Sequence, residues 1–139
     1  MLQIALVPWE EAKTEAQRIR FTVFVEEQHV PPELEMDEND PHCIHALAYE
    51  DGTPVGTARL LPDGHIGRMA VLKLWRRRGV GAALLRALVQ AARERGDAEV
   101  LLSAQVHALS FYRAHGFASH GAVYEEAGIA HQAMRLRLR

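Results

Sequence analysis

The sequence has little cysteine, few aromatic residues and no long apolar run. Cys43 is the single cysteine among 139 residues, which excludes an internal disulfide and suits a reducing compartment. No run approaches the roughly 20 apolar residues that a membrane-spanning helix needs. The N-terminal segment MLQIALVPWEEAK has only a short apolar run and no preceding basic cluster, unlike a secretion signal. We therefore expect a cytoplasmic protein without a membrane partner.

A large excess of charge of either sign is also missing. Sixteen Lys and Arg residues stand against eighteen Asp and Glu residues, for a formal net charge of −2. Such a chain has no general electrostatic attraction for nucleic acid or anionic lipid, so neither is expected as a partner. The length and the 48% hydrophobic content fit one globular domain that spans residues 1–139.

The apolar pattern predicts helices and strands in the order β-α-β-β-β-α-β-α-β-β. The predicted bounds of nine of these elements are 2–7, 10–26, 43–50, 55–61, 65–71, 79–95, 98–104, 108–115 and 131–139. Pro31 and Pro32 end the first helix, and residues 33–41 form an acidic, turn-rich connection. With no repeat or linker, this order predicts one mixed α/β layer structure.

An arginine-rich turn precedes the longest predicted helix. It contains Arg76, Arg77 and Arg78, followed by Gly79 and Gly81. Unpaired N–H groups at a helix start attract anions, glycine lets a phosphate approach them, and arginine adds charged donors. The turn therefore predicts an anion site, with a solvated basic turn as the alternative. P-loop and dinucleotide fingerprints do not fit, because the Lys-Ser/Thr pair and the third small residue are missing.

Two segments resemble the GCN5-related N-acetyltransferase (GNAT) superfamily. RMAVLKLWRRRGVGAALL carries its motif (Arg/Gln)-x-x-Gly-x-(Gly/Ala) at Arg76, Gly79 and Gly81. VLLSAQVHALSFYRAHGF matches its next motif at Ala108, Phe111, Tyr112, Gly116 and Phe117. RFTVFVEEQHVPPELEMDEND and YEEAGIAH look like the ElaA-like branch. The resemblance implies a single-domain GNAT fold, with a mixed, mostly antiparallel sheet flanked by helices, in which strands 69–71 and 100–104 splay apart.

The resemblance also implies acetyl-CoA as the acetyl donor. Its pyrophosphate would lie on the arginine-rich turn and its pantetheine arm along the strand that ends at Val71. The implied binding residues are Met69, Ala70, Val71, Arg76, Arg77, Arg78, Gly79, Val80, Gly81, Ala82 and Gln105. Arg77 stands where the family often has glycine, and Gln105 where it often has asparagine. The first departure favours contact with the CoA 3′-phosphate, and the second alters how the pantetheine is held.

The reaction implied is direct acetyl transfer to a primary amine in a ternary complex. Tyr112 is the implied proton donor to the leaving thiolate, with packing of the short helix as its alternative role, and the Val71 N–H is the implied oxyanion donor. Candidates for the general base, each with a structural role as alternative, are Glu26, Glu27, His29, Glu35, Asp37 and His45. Residues expected on the acceptor side are Glu27, Gln28, Glu35 and His45. The acidic connection could attract a cationic amine or be an ordinary solvated loop.

The sequence also allows alternatives to an acetyltransferase. A non-catalytic acyl-CoA-binding or sensing module is the main alternative, a nucleic-acid module is a distant one, and a homodimer is suggested by the resemblance alone. No metal is expected, because His42 and His45 would point to opposite faces of a strand. Cys43 has no neighbouring base, which argues against an acetyl-cysteine route. The scattered histidines, expected in surface or loop positions, are His107, His115, His120 and His131.

Overall fold

Seven strands form two antiparallel sheets in the computed structural model, which describes residues 1–35 and 37–139. The first sheet has the order β1-β2-β3-β4 and contains Leu2–Val7, Ile44–Glu50, Thr53–Leu60 and Ile66–Val71. The second has the order β5-β7-β6 and contains Glu99–Gln105 (β5), Ala118–Glu126 (β6) and Ile129–Arg137 (β7). The predicted fold class and the order of its ten main elements are confirmed. β3 begins earlier than predicted, because Asp51 and Gly52 alone turn the chain, both with positive φ.

Four α-helices connect these strands within the described residues: α1 is Trp9–Arg20, α2 is Pro32–Glu35, α3 is Val80–Arg95 and α4 is Leu109–Ala114. A π-helical segment, Phe21–Glu27, continues α1 without interruption. The helix predicted over residues 10–26 is therefore present, but its last two turns have a wider hydrogen-bond pattern. α2 was not predicted and lies within the acidic connection. None of these described helices has the length and apolar character needed to cross a membrane.

α1 and α3 cover opposite faces of the first sheet. Along β2, Leu47 packs with Trp9 and Ala16 of α1, whereas its neighbours Ala46 and Ala48 belong to the core around α3. This alternation follows from the two-residue period of a strand. Gly56 on β3 permits close approach of α3, since a Cβ there would lie 3.0 Å from Val80 Cγ1 and 3.1 Å from Leu84 Cδ1.

The two sheets meet at one end and separate at the other. An isolated parallel bridge joins His65 to Leu101, and the Leu101 N–H donates to the Gly64 carbonyl over 3.0 Å. Beyond this bridge β4 and β5 belong to different sheets and run without a shared ladder among the described residues. The predicted splay between strands 69–71 and 100–104 is therefore present, and it opens a cleft through the molecule.

Candidate active site

The cleft between β4 and β5 has a volume of about 990 Å³. The π-helical segment, the arginine-rich turn, α4 and the β6–β7 hairpin complete its walls. Eleven of the predicted site residues line it: Glu27, Gln28, Glu35, Met69, Ala70, Val71, Arg76, Arg77, Gly81, Gln105 and Tyr112. Arg78, Gly79, Val80 and Ala82 lie along the turn that borders the cleft, with the Val80 side chain buried in the core.

The turn before α3 presents open backbone amides. Gly79 immediately precedes the helix with φ 81°, and no side chain caps it. The first helical bond of α3 runs from the Ala83 N–H to the Gly79 carbonyl over 3.0 Å, so the N–H groups of Val80, Gly81 and Ala82 have no helical acceptor. A Cβ at Gly79 would meet nothing within 4 Å. Unpaired amides at the positive end of a helix are the arrangement that attracts a phosphate group.

The three arginines of the turn have different partners. The Arg76 guanidinium donates to both oxygens of Glu27 over 2.5 and 2.7 Å, and its Nε donates to the Val71 carbonyl over 2.9 Å. Arg76 thus fastens the turn to the π-helical segment and to β4, and its charge is matched by Glu27. Arg78 stacks on the Trp75 ring at 5.2 Å, and both Arg77 and Arg78 are exposed. Arg76 was expected to add a charged donor for an anion, but in the structure its guanidinium is paired with Glu27.

A bulge in β4 aims its backbone into the cleft. Thr57 lies opposite Ala70 while Arg59 lies opposite Gly67, so β4 holds one extra residue between them, and Arg68 there has φ 49°. The Leu72 N–H donates to the Val55 carbonyl over 2.9 Å, which makes Val71 and Gly56 a non-hydrogen-bonded pair. In such a pair the N–H and C=O groups point away from the partner strand. Those of Val71 therefore point away from β3 and toward the gap.

Tyr112 extends from α4 into the same cleft. Its hydroxyl lies 3.9 Å from Met69 Sδ on β4, and its ring packs edge-on against Phe111 and Phe117. Burial raises the pKa of Tyr112 to about 12, because a phenolate loses its hydration there. The hydroxyl is consequently protonated at neutral pH and available as a donor.

Gln105 joins the two sides of the cleft at the end of β5. Its Nε2 donates to Gln28 Oε1 over 3.0 Å, and His107 Nε2 lies 2.7 Å from its Oε1. Gln28 is held near the end of the π-helical segment, so this amide pair ties that segment to β5. The structure thus brings together a predicted acceptor-side residue and a predicted CoA-side residue.

The acidic connection is largely neutralised by arginines. Arg20 pairs with Glu35 and donates to both oxygens of Asp40 over 2.9 and 3.0 Å. Arg59 donates to Asp40 over 2.8 Å and to Asp37 over 2.7 Å, and Arg68 reaches Asp37 over 3.3 Å. We call these six residues the buried cluster: Arg20, Glu35, Asp37, Asp40, Arg59 and Arg68. Attraction of a cationic substrate by an exposed acidic loop is therefore not supported.

Pairing in the buried cluster makes Asp37 a poor proton acceptor. Burial alone would raise the pKa of Asp37, but hydrogen bonds from Arg59 and the Asn39 N–H, with the charges of Arg59 and Arg68, hold it below its usual value. Glu27, outside the cluster, also has a lowered pKa because Arg76 binds its carboxylate. Glu35 lines the cleft but is 7% exposed and paired with Arg20, so it is not a free acceptor-side carboxylate.

His45 does not reach the cleft. It is 1% exposed, its Nε2 donates to the Asp40 carbonyl over 2.8 Å, and its ring lies 4.8 Å from Trp9. Burial lowers the pKa of His45 and favours the neutral ring. Its expected acceptor-side role is corrected to a structural one. Glu26 and His29 are exposed and do not line the cleft either.

Several cleft residues were not among the predicted site residues, although three of them lie in the segment YEEAGIAH that was quoted for its resemblance to the ElaA-like branch. His131 on β7 is 8% exposed and lines the cleft, together with Glu126, Ile129 and Ser103. The expected surface position of His131 is therefore wrong. Strand alternation in HQAMRLRLR does not mark it, because His131 and Met134 are both buried although they have opposite parity. Among the described residues, no group of three or more His, Cys, Asp or Glu side chains is arranged to hold a metal ion.

Splayed strands, open helix-start amides and a buried tyrosine hydroxyl together define an acyltransferase that takes its acyl group from acyl-CoA. The chain belongs to the acetyltransferase (GNAT) domain family, whose family model matches residues 10–138. The GNAT resemblance stated from the motifs is thereby confirmed, and the enzyme is an N-acetyltransferase.

Individual relatives support the ElaA-like branch. YjcF of Bacillus subtilis, named an uncharacterized N-acetyltransferase, is 40% identical over 111 residues, or 78% of this chain and 79% of that protein. The crystal structure of Escherichia coli ElaA superposes with a TM-score of 0.86 at 29% identity, covering 99% of this chain and 100% of that one. An acyl-CoA N-acyltransferase structure from Pseudomonas aeruginosa gives a TM-score of 0.86 at 31% identity, covering 98% and 99%.

Proposed function

We propose that the chain transfers an acetyl group from acetyl-CoA to a primary amine, directly and within a ternary complex. The observation that carries this proposal is the protonated Tyr112 hydroxyl facing β4. It lies in the same cleft into which the Val71 backbone opens and along which the arginine-rich turn runs. A proton donor, an N–H donor and an anion site thus share one cavity.

The cleft and the arginine-rich turn offer a site that fits acetyl-CoA, the acetyl donor. The open amides of residues 80–82 would bind its pyrophosphate, and the exposed Arg77 and Arg78 would add charge-assisted donors. The backbone of Val71 would bind the pantetheine arm and Gln105 would close the other side. Acetyl-CoA supplies a thioester, whose C–S bond breaks as the acetyl carbon bonds to the amine nitrogen.

Tyr112 and Val71 have distinct tasks in this transfer. The Val71 N–H donates to the thioester carbonyl oxygen as negative charge grows on it, a contact typically worth about 3 to 4 kcal/mol. The Tyr112 hydroxyl gives its proton to the leaving sulfur and regains one from solvent. The phenol is protonated at neutral pH and can donate to the sulfur as negative charge develops there. The thiolate, whose conjugate acid has a pKa of about 8.5, is a weaker base than the phenolate, so the transfer is completed when solvent reprotonates Tyr112.

Replacing Tyr112 with Phe tests the proposal. We expect kcat to fall by about 10²-fold with CoA affinity unchanged, because the ring still packs while the proton is lost. Tyr49→Phe on β2 is the matched control, since Tyr49 packs beside the α1 contacts and does not line the cleft. Thiol release from acetyl-CoA across an amine library, together with calorimetric CoA binding, gives both quantities. Undiminished turnover in Tyr112→Phe would remove Tyr112 from the mechanism.

The same assays separate an enzyme from the alternative, a non-catalytic acyl-CoA-binding module. Such a module would bind CoA but release no thiol, both in the wild type and in Tyr112→Phe. An acetyl-cysteine route is disfavoured, since Cys43 is buried outside the cleft, burial raises the pKa of its thiol, and its Sγ contacts the Asn39 carbonyl at 3.2 Å. Cys43→Ser is expected to retain turnover. A polyamine, an amino sugar and a protein lysine are the acceptor classes to include in the library, and the cytoplasmic location and homodimer stay predictions.

A further inference from the structure

An alkylamine acceptor must lose a proton before it can attack. With a reference pKa near 10.4, only about one part in a thousand is neutral at pH 7.4. Of the carboxylates first considered for this task, Glu26 does not line the cleft. The other three are paired with arginines, Glu27 with Arg76, Glu35 with Arg20 and Asp37 with Arg59. If the proposed function is right, a different group in the cleft should receive the proton.

His131 has the geometry of a neutral base. Its Nδ1 lies 2.7 Å from the Ile129 carbonyl oxygen, an atom that can only accept a hydrogen bond. Nδ1 must therefore carry the proton, and in the neutral ring Nε2 is left with its lone pair. No described residue donates a hydrogen bond to Nε2. The ring lines the cleft and stacks on Tyr124 at 6.1 Å, which fixes its plane.

The charged and titratable groups around His131 suit a ring that gains a proton. Glu126 on β6 places Oε2 3.8 Å from Nε2, where a carboxylate stabilises an imidazolium. Tyr124 stacks on the ring and is itself held by a hydrogen bond between its hydroxyl and Ser103 on β5. On the turn after β5, His107 is engaged by Gln105 at 2.7 Å. No arginine is paired with Glu126 among the described residues.

We propose that His131 is the general base for the acceptor amine and that Glu126 is its positioning partner. The proton leaves the amine nitrogen and binds Nε2, directly or through one water, which frees the nitrogen lone pair that forms the bond to the acetyl carbon. The imidazolium pairs with Glu126 and later releases its proton to solvent. Tyr112 serves the leaving sulfur and His131 serves the nucleophile, so the two proton transfers use different residues.

A pair of matched probe amines tests this assignment. Ethylamine is almost wholly protonated at pH 7.5, whereas 2,2,2-trifluoroethylamine is similar in size and almost wholly neutral. His131→Asn retains an N–H near the Nδ1 position but removes the base. We expect kcat/KM for ethylamine to fall by about 10²-fold and that for trifluoroethylamine by less than about threefold. Glu126→Gln should cost ethylamine turnover about two- to fivefold.

The control is His120→Asn on β6, an exposed histidine that does not line the cleft, and it should leave both rates unchanged. CoA binding measured by calorimetry checks that His131→Asn is folded. Equal losses for the two amines would overturn the base assignment while leaving the acetyltransferase proposal intact, since turnover itself would have been observed. Loss of turnover in Tyr112→Phe is the separate test of that proposal.

A spectroscopic measurement tests the assignment of His131 as the base even if neither probe amine is acetylated. Long-range ¹H–¹⁵N correlation spectra of the wild-type imidazoles, with the His131 signals assigned by their absence in His131→Asn, report which ring nitrogen carries the proton. At pH 8 we expect a protonated Nδ1 and an unprotonated Nε2 for His131. A proton on Nε2 instead would leave no lone pair toward the cleft and would overturn the proposal.

Discussion

Two groups of three arginines serve opposite purposes in this molecule. Arg20, Arg59 and Arg68 belong to the buried cluster, where Glu35, Asp37 and Asp40 balance their charges one for one. Arg76, Arg77 and Arg78 surround open backbone amides, and Glu27 is the one carboxylate that pairs with them among the described residues. Their carboxylate partners distinguish the two groups: the first is fully paired inside the fold, whereas Arg77 and Arg78 of the second group are exposed.

The small net charge of the chain does not describe the local charge near each of these two regions. Most of the carboxylates of the acidic connection are consumed by arginines from α1, β3 and β4, so the connection presents little free negative charge. The positive turn keeps two exposed guanidinium groups at the start of α3. A chain of net charge −2 can therefore present a local surface of positive charge.

The largest expected effect comes from breaking the buried cluster. Arg20→Gln should lower the free energy of unfolding by about 3 to 5 kcal/mol, because Glu35 and Asp40 would remain buried without their partner. Urea denaturation measures this loss, and CoA affinity of the folded protein should be unchanged. A loss below about 1 kcal/mol would show that the cluster is no more important than a surface ion pair.

Gly81→Asp should have the opposite effect to Arg20→Gln: CoA affinity should fall while the free energy of unfolding stays the same. A Cβ at position 81 would lie 3.6 Å from Phe111 Cζ and 3.9 Å from Met69 Sδ, so the new carboxylate would stand on the cleft side of the first turn of α3. A like charge about 5 Å from a phosphate costs about 3 kcal/mol at an effective dielectric near 20, roughly a hundredfold in CoA affinity. Stability should hold, because an acidic residue suits the first turn of a helix. Gln90→Asp adds the same charge at an exposed position far along α3 and should bind CoA normally. Equal CoA affinity in the two variants would contradict an anion site at the turn.

The pH dependence of stability provides a smaller effect. Because the pKa of Asp37 is lowered in the folded state, its contribution is present above about pH 4 and is lost as pH falls through the lower folded-state value. Asp37→Asn should therefore be less stable than wild type at pH 7, by about 1 to 3 kcal/mol, and this difference should shrink toward pH 3. A difference that stays constant from pH 7 to pH 3 would mean that charge is not the cause.

The smallest effect is expected at the ion pair between Arg76 of the arginine-rich turn and Glu27. Arg76 and Glu27 have side chains that are each 36% exposed, so Glu27→Gln should change the free energy of unfolding by less than about 1 kcal/mol. It would free Arg76, and CoA affinity should stay the same or rise slightly. A marked fall in CoA affinity would indicate that the pair sets the shape of the anion site.

Local patterns in the sequence were enough for the main elements and for the position of the arginine-rich turn before α3. Ala12, Ala16 and Ile19 form a helical stripe, and the glycines before α3 act through backbone conformation, which nearby residues determine. The tyrosine of the second motif could likewise be placed in the cleft by resemblance. Such features depend on residues that are close together in the sequence.

The acceptor side depends on distant pairings and could not be predicted in the same way. Arg59 meets Asp37 and Asp40 across a strand pairing, and the bulge at Arg68 follows from the register of β3 and β4. His131 enters the cleft because β7 lies between β5 and β6, an arrangement that periodicity does not encode. The π-helical segment likewise has no signature in the spacing of its apolar residues.

The most direct test of the anion site is an amide ¹H–¹⁵N titration with CoA. We expect the largest shifts at residues 79–82 and at Val71, with small shifts at the amides of Arg20 and Asp40 in the buried cluster. CoA binding that leaves the amides of residues 79–82 unmoved would contradict the account, because the diphosphate would then be held somewhere else.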